Sequence, residues 1–120
     1  MRILVVDDDP LAGAMTRAVL EDGGHEVVSA ENGIEACGVL DSDLAVALVV
    51  SDMNMPLMTG LELFQTLREQ GMGIPFILLS GDDPGPLQAL EPRLDGCLLK
   101  DAELDITLGE AIARLSPGQG

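Results

Sequence analysis

Short apolar runs alternate along the chain with longer stretches whose apolar residues recur every three or four positions. The runs are residues 2–6, 26–30, 45–51, 74–79 and 97–99. They are too short for helices and rich in branched side chains, and most lack polar alternation, so they read as strands covered on both faces. After Pro10, which suits a first helical turn, Leu11, Ala14, Met15, Ala18 and Val19 predict a helix closed by Gly23 and Gly24. Asn32 and Gly33 mark a turn before a second helix with Ile34, Cys37 and Leu40 on one face. Leu61, Phe64 and Leu67, helped by Leu63, define a third that ends near Gly71. Leu104, Leu108, Ala111, Ile112 and Leu115 define the last. Between Gly81 and Asp95 the pattern breaks. Pro84, Pro86 and Pro92 leave room only for a short helix around residues 87–91, because an interior proline removes a hydrogen bond and clashes with the turn before it.

Five buried strands alternating with helices predict an α/β fold. Parallel crossovers need helices and run right-handed, so the sheet is expected to be doubly wound, in the flavodoxin-like order 2-1-3-4-5, with helix four short or irregular. A length of 120 residues suits one domain. Residues 1–116 form it, and residues 117–120 have the composition of a tail or the start of a linker. Two Phe, with no Trp or Tyr, leave an aliphatic, Met-filled core and no rings for stacking on bases. The net charge of -15 argues against a footprint on a nucleic-acid backbone. Neither a membrane span nor a signal peptide is expected, since Arg2 is followed by only four apolar residues before the first acids. The expected compartment is therefore the cytoplasm. Cys37 and Cys97 lack metal-ligand spacing and read as buried, reduced thiols.

In a parallel sheet the carboxyl ends of strands one, three, four and five share one edge, where open α/β sheets build their sites. They carry Asp7-Asp8-Asp9, Asp52, Ser80 and Lys100. Singly each is ordinary: acidic triplets form solvated loops, a Ser before Gly belongs in a turn, and a lone Lys sits on a surface. Together they deliver a polar group from every strand except peripheral strand two. Close carboxylates repel one another and titrate as a group unless a cation relieves them. Mg2+ is the natural partner, because it takes hard oxygen ligands and keeps water and phosphoryl oxygens in its shell. Ser80 and Lys100 are placed to bind the other phosphoryl oxygens, and a carboxylate in such a cradle can be the nucleophile that forms an aspartyl phosphate.

The segments Val5-Val6-Asp7-Asp8-Asp9-Pro10, Asp52-Met53-Asn54-Met55-Pro56-Leu57-Met58-Thr59-Gly60, Leu79-Ser80-Gly81 and Leu99-Lys100 resemble, in order and nearly in spacing, the receiver domain of two-component response regulators, the interval from Ser80 to Lys100 being shorter than usual. The resemblance covers almost the whole chain and implies a CheY-like fold. It also implies transfer of a phosphoryl group from a histidine kinase to Asp52, with Mg2+ required. Asp8 and Asp52 would then ligate the metal by carboxylate and Asn54 by its backbone carbonyl, while Asp7 orients metal-bound water. Ser80 would be the switch hydroxyl and Lys100 the phosphoryl-binding lysine. The implied partners are a sensor histidine kinase or phosphotransfer protein and a downstream effector protein or domain, with a homodimer left open. Transfer and dephosphorylation would be self-catalysed, unlike a conventional enzyme.

Two departures bear on the readout. Asp101 follows the lysine where a proline is usual, and Cys97 stands where receivers carry Tyr or Phe. Signalling by order or displacement of residues 81–94, rather than by aromatic rotation, is the expectation. A phosphorylation-independent docking or dimerisation module is the alternative. A haloacid-dehalogenase-like phosphohydrolase, with its nucleophile in Asp7-Asp8-Asp9, is the less favoured enzyme reading.

Overall fold

Adjacent branched side chains leave no polar face to offer water, so such strands are stable only when both sides are covered. In the computed structural model, which describes residues 1–115, helices cover both faces of one five-stranded parallel sheet. Its strands are β1 (Arg2–Val6), β2 (Glu26–Ala30), β3 (Val46–Asp52), β4 (Phe76–Ser80) and β5 (Gly96–Leu99), in the order β2-β1-β3-β4-β5. The connecting helices are α1 (Pro10–Asp22), α2 (Gly33–Ser42), α3 (Gly60–Glu69), α4 (Gly85–Leu90) and α5 (Leu104–Arg114). The predicted fold and strand order are therefore the observed ones. The expected tail, residues 117–120, lies outside the described residues.

Side chains alternate between faces along each strand. Leu4, Val6, Val49, Phe76 and Leu78 pack toward α2 and α3. Ile3, Val5, Leu48, Val50, Ile77 and Leu79 pack toward α1 and α5. Burying each such side chain is worth about 1.5–3 kcal/mol, so the central strands β1, β3 and β4 hold the sheet edge rigidly in place.

Two helix faces differ from expectation. α1 buries Thr16 and Leu20, whereas Leu11 and Met15 are 70% and 64% exposed, and Ala14 and Ala18 also face solvent. In α2 the buried row is Ala36 and Leu40, and Ile34 is exposed. Both helices carry apolar residues on more than one stripe, so spacing alone fits two phases; the i,i+4 rows 16/20 and 36/40 are the ones facing the sheet. Cys37 and Cys97 are free and half-buried against the α2–α3 layer, where burial raises both thiol pKa values. The short helix lies slightly earlier than predicted. It has no buried residue and no side-chain cap on its first turn.

Candidate functional site

The strand register aligns the carboxyl ends. Val6 lies beside Ser51, Asp52 beside Leu79, and Ser80 beside Leu99. The pairing then runs one residue further: the Asp7 N–H donates to the Ala30 carbonyl at 3.1 Å and the Lys100 N–H to the Ser80 carbonyl at 2.8 Å. Hence Asp7 and Lys100 leave the sheet from fixed backbone, next to Asp52 and Ser80.

Those backbone positions bring the charged groups together. Lys100 Nζ lies 3.3 Å from Asp7 Oδ2 and 3.3 Å from Asp52 Oδ1. One carboxylate oxygen from each of Asp7, Asp8 and Asp52 falls within 4.8 Å of the others; Asp7 and Asp52 are buried and Asp8 is exposed. The acidic triplet divides its work. Asp9 accepts hydrogen bonds from the N–H groups of Leu11 and Ala12 and so caps α1, while its own N–H donates to Asp7 Oδ1 at 2.9 Å. Only Asp7 and Asp8 of the three turn toward Asp52.

Burial is the largest cause of a raised Asp52 pKa; Lys100 opposes it, and the charges of Asp7 and Asp8 add to it. Burial works against the Lys100 ammonium, yet Asp52 and Asp7 together outweigh it and raise that pKa as well. Three carboxylates against one ammonium leave the pocket with surplus negative charge. An all-oxygen donor set of this kind fits a hard divalent cation such as Mg2+.

The loop after β3 returns tightly onto the strand. The Gly60 N–H donates to the Met53 carbonyl at 2.9 Å. A Cβ on Gly60 would overlap the Asp52 carbonyl oxygen and approach Leu78 Cδ1 to 2.5 Å, so only glycine allows this approach. Leu57, at φ 71°, sits in the left-handed region, and the Met58 N–H closes a tight turn onto the Pro56 carbonyl at 2.8 Å. Such a residue costs about 1–3 kcal/mol, strain held in the loop that follows Asp52. Thr59 and Glu62 then form a reciprocal capping box that starts α3. This box, missed in the sequence reading, was legible as Thr-x-x-Glu ahead of an apolar run. Asn54 lies two residues beyond Asp52 in the same loop and is exposed.

Ser80 is buried, and its Oγ accepts a hydrogen bond from the Asp82 N–H at 3.1 Å. Nothing in the sequence reading pointed to that amide. The residue after Lys100 continues in trans, since no cis peptide occurs among the described residues. Asp101 Oδ1 instead accepts from the Glu103 N–H at 3.0 Å and shapes the turn into α5.

The response regulator receiver domain model matches residues 3–112 of the chain. The chain belongs to this family. The receiver is 34% identical over 108 residues to the sensor histidine kinase RcsC of Salmonella typhimurium, covering 88% of this chain and 11% of RcsC. It is 41% identical over 83 residues to the response regulator MprA of Mycobacterium avium, covering 69% of this chain and 36% of MprA. It thus spans only a minor part of either protein. Among solved structures, the response regulator TrrA of Thermotoga maritima in complex with Mg(2+)-BeF is 32% identical, with a TM-score of 0.85 over 95% of this chain and 97% of that one. Chemotaxis protein CheY4 of Vibrio cholerae is 30% identical, with a TM-score of 0.82 over 94% and 96%. Family membership leaves the haloacid-dehalogenase reading without support.

Proposed function

We propose that Asp52 accepts a phosphoryl group from a phosphohistidine on a sensor histidine kinase or phosphotransfer protein, in a Mg2+-dependent reaction that switches the receiver's contacts with a downstream effector protein or domain. One observation carries this reading: Asp52 lies at the strand end with its carboxylate 3.3 Å from Lys100 Nζ, inside a cluster with Asp7 and Asp8. In the reaction an Asp52 oxygen attacks phosphorus as the phosphorus–nitrogen bond breaks, and the departing imidazole takes a proton from its surroundings. Lys100 shifts part of its contact from Asp52 to a phosphoryl oxygen, and the Ser80 hydroxyl donates to another. Asp8 and Asp52 would hold Mg2+ by carboxylate and Asn54 by its backbone carbonyl, with Asp7 orienting a water of the metal. When bound, Mg2+ neutralises phosphoryl charge and relieves the repulsion among the carboxylates.

The apolar stripe of α1 supports a docking place for the donor. Leu11 and Met15 stand exposed beside a groove lined by Ala12, Val19, Ala102 and Leu104 that opens at Lys100. Five of the six Arg and Lys residues, Arg2, Arg17, Arg68, Arg93 and Lys100, are held in ion pairs. The rim of the groove, with Asp101 and Asp105, is correspondingly acidic. A donor helix with an apolar face and basic flanks is therefore complementary, and a nucleic acid is not. No helix among the described residues is long and apolar enough to cross a membrane.

Incubation with acetyl phosphate followed by intact-mass measurement tests the reading. Uptake of one phosphoryl group is expected with Mg2+, and none without Mg2+ or in Asp52→Asn. No uptake in the wild-type protein would sink it. The phosphorylation-independent docking or dimerisation module, which Cys97 and Asp101 favour, would then stand.

A further inference from the structure

We propose that the cavity between α1 and the turn into α5 is a binding site for a small organic ammonium compound with a compact apolar body. Its ammonium group donates to the Thr16 hydroxyl and faces the carboxylates of Asp101 and Asp105. The site goes beyond the phosphoacceptor reading and does not depend on it. Its consequence, competition between the ligand and a phosphoryl donor for the α1 face, rests on the docking place proposed above.

Thr16 marks the cavity. It lies in the middle of α1 on the buried row with Leu20, and only 3% of the residue is exposed. A hydroxyl inside a helix commonly donates to a carbonyl three or four residues back, as Ser42 does to Gly38 and Thr107 to Leu104. The Thr16 hydroxyl has no hydrogen-bond partner among the described residues. No fully enclosed side-chain nitrogen or oxygen among them lacks one, so the Thr16 oxygen must reach the cavity that the residue lines. A nearly enclosed hydroxyl left unpaired costs stability, and a donor in the cavity would relieve that cost.

The walls suit an apolar body. The cavity is about 440 Å³ and is lined by Ala12, Met15, Val19, Ala102 and Leu104; small-molecule sites span about 300–1,000 Å³ and combine apolar walls with a few polar contacts. Met15 is 64% exposed, and its flexible thioether chain can settle over a bound molecule. The larger cavity, about 560 Å³, adjoins this one at Val19 and Asp105, but Asp22, His25 and Asp105 on its wall are none of them buried. It is the smaller cavity that offers an enclosed polar contact.

Charge selects the head group. Lys100 follows Leu98 toward α1 and α5, but its ammonium is engaged 3.3 Å from both Asp7 and Asp52, so it gives the cavity its aliphatic stem. Asp105 has no ion pair or side-chain hydrogen bond among the described residues, and Asp101 engages one oxygen with the Glu103 N–H. Two carboxylates with no free cation beside them attract a cation and repel an anion. Among the described residues only Asp7, Asp8 and Asp52 gather as a metal would require, so the cation suited to this cavity is organic. Asp52 follows Leu48 and Val50 to the same side of the sheet, whereas Ser80 follows Phe76 and Leu78 toward the layer in which Leu87 of α4 packs. Neither Ser80 nor any of the three clustered carboxylates lines the cavity. A ligand there covers the donor groove and leaves the acidic cluster open.

Amide NMR titrations of the whole chain with phenethylammonium, phenethyl alcohol and hydrocinnamate test the site, because the three probes share an apolar body and differ in head group. The ammonium should shift the signals of Thr16, Ala102 and Asp105 saturably and bind about fivefold tighter than the alcohol, the advantage of a charged over a neutral donor. Hydrocinnamate should leave them unmoved. Thr16→Val should weaken the ammonium about fivefold and melt no lower than the wild type, since it deletes a hydroxyl without a partner. No shift, equal affinity for the three probes, or wild-type affinity in Thr16→Val overturns the site. So does a Thr16→Val protein that melts well below the wild type, because the hydroxyl would then be satisfied within the fold. With the ammonium at saturation, acetyl phosphate labelling should persist while transfer from a phosphorylated histidine protein slows. Binding with unchanged transfer overturns the competition and removes the α1 docking place, with the site retained. Failure of acetyl phosphate labelling in the absence of any probe sinks the phosphoacceptor reading alone.

Discussion

Replacing Asp8 by Asn should stabilise the metal-free receiver. One oxygen of Asp8 lies no farther than 4.8 Å from those of Asp7 and Asp52. At that separation two like charges repel by about 0.9 kcal/mol in a water-like dielectric and about 3.5 kcal/mol at an effective value of 20. Asp8 is exposed, so the lower figure applies to each neighbour, and the ammonium of Lys100 cancels part of it. A net gain of about 1 kcal/mol follows, which raises the melting temperature by about 3–5 °C for a domain of this size. Magnesium should act unequally on the two proteins. At ten times its dissociation constant it adds about 1.4 kcal/mol to the wild type, and far less to Asp8→Asn, which lacks one of the carboxylates. Thermal melts in chelator and in millimolar MgCl2 therefore should converge or cross. An Asp8→Asn protein that melts below the wild type in chelator, or that gains as much from Mg2+, refutes the account of the cluster as a repulsive site awaiting a cation.

Gly60→Ala should destabilise by about 1–3 kcal/mol in urea titrations, because the new methyl group must displace the Asp52 carbonyl or Leu78; an unchanged midpoint counts against the close approach. The Arg93 hydrogen bond, the largest cause, holds the Glu91 carboxyl at about 2 against an ordinary 4.5. A depressed carboxyl gives stability that is full above 4.5 and lost as pH falls toward 2. Urea midpoints at pH 5 and pH 3 should therefore fall more steeply for the wild type than for Glu91→Gln, and equal slopes would contradict the pairing. Leu11→Ser with Met15→Ser should leave stability within about 0.5 kcal/mol and acetyl phosphate labelling unchanged, while slowing transfer from a phosphorylated histidine protein. Equal transfer rates would remove α1 as the docking face.

Strand order and the polar edge were legible because the evidence for each is local. Runs such as Leu48, Val49 and Val50 have one solution, burial on both faces, and a carboxylate or lysine ending such a run must emerge at the sheet edge. Helix phase was less legible. In α1 the spacing of Leu11, Ala14, Met15 and Ala18 was as regular as that of any core stripe, yet Thr16 and Leu20 are the buried pair, and apolar periodicity does not say whether a stripe faces a sheet or a partner. Glu91 and Arg93 were invisible for another reason. Charges flanking Pro92 carry no apolar pattern that would pair them, and only the fold brings Phe64 and Arg68 beneath them. The Asp82 amide gave no signal at all, since a backbone donor leaves no mark on side-chain pattern.

The alternation that sends Asp52 and Lys100 to one side of the sheet and Ser80 to the other has a kinetic consequence. A donor seated on α1, as proposed above, would load the acceptor from one flank and leave α4 uncovered on the opposite flank. If the proposed donor takes that seat, a partner resting against α4 would not stand in its way.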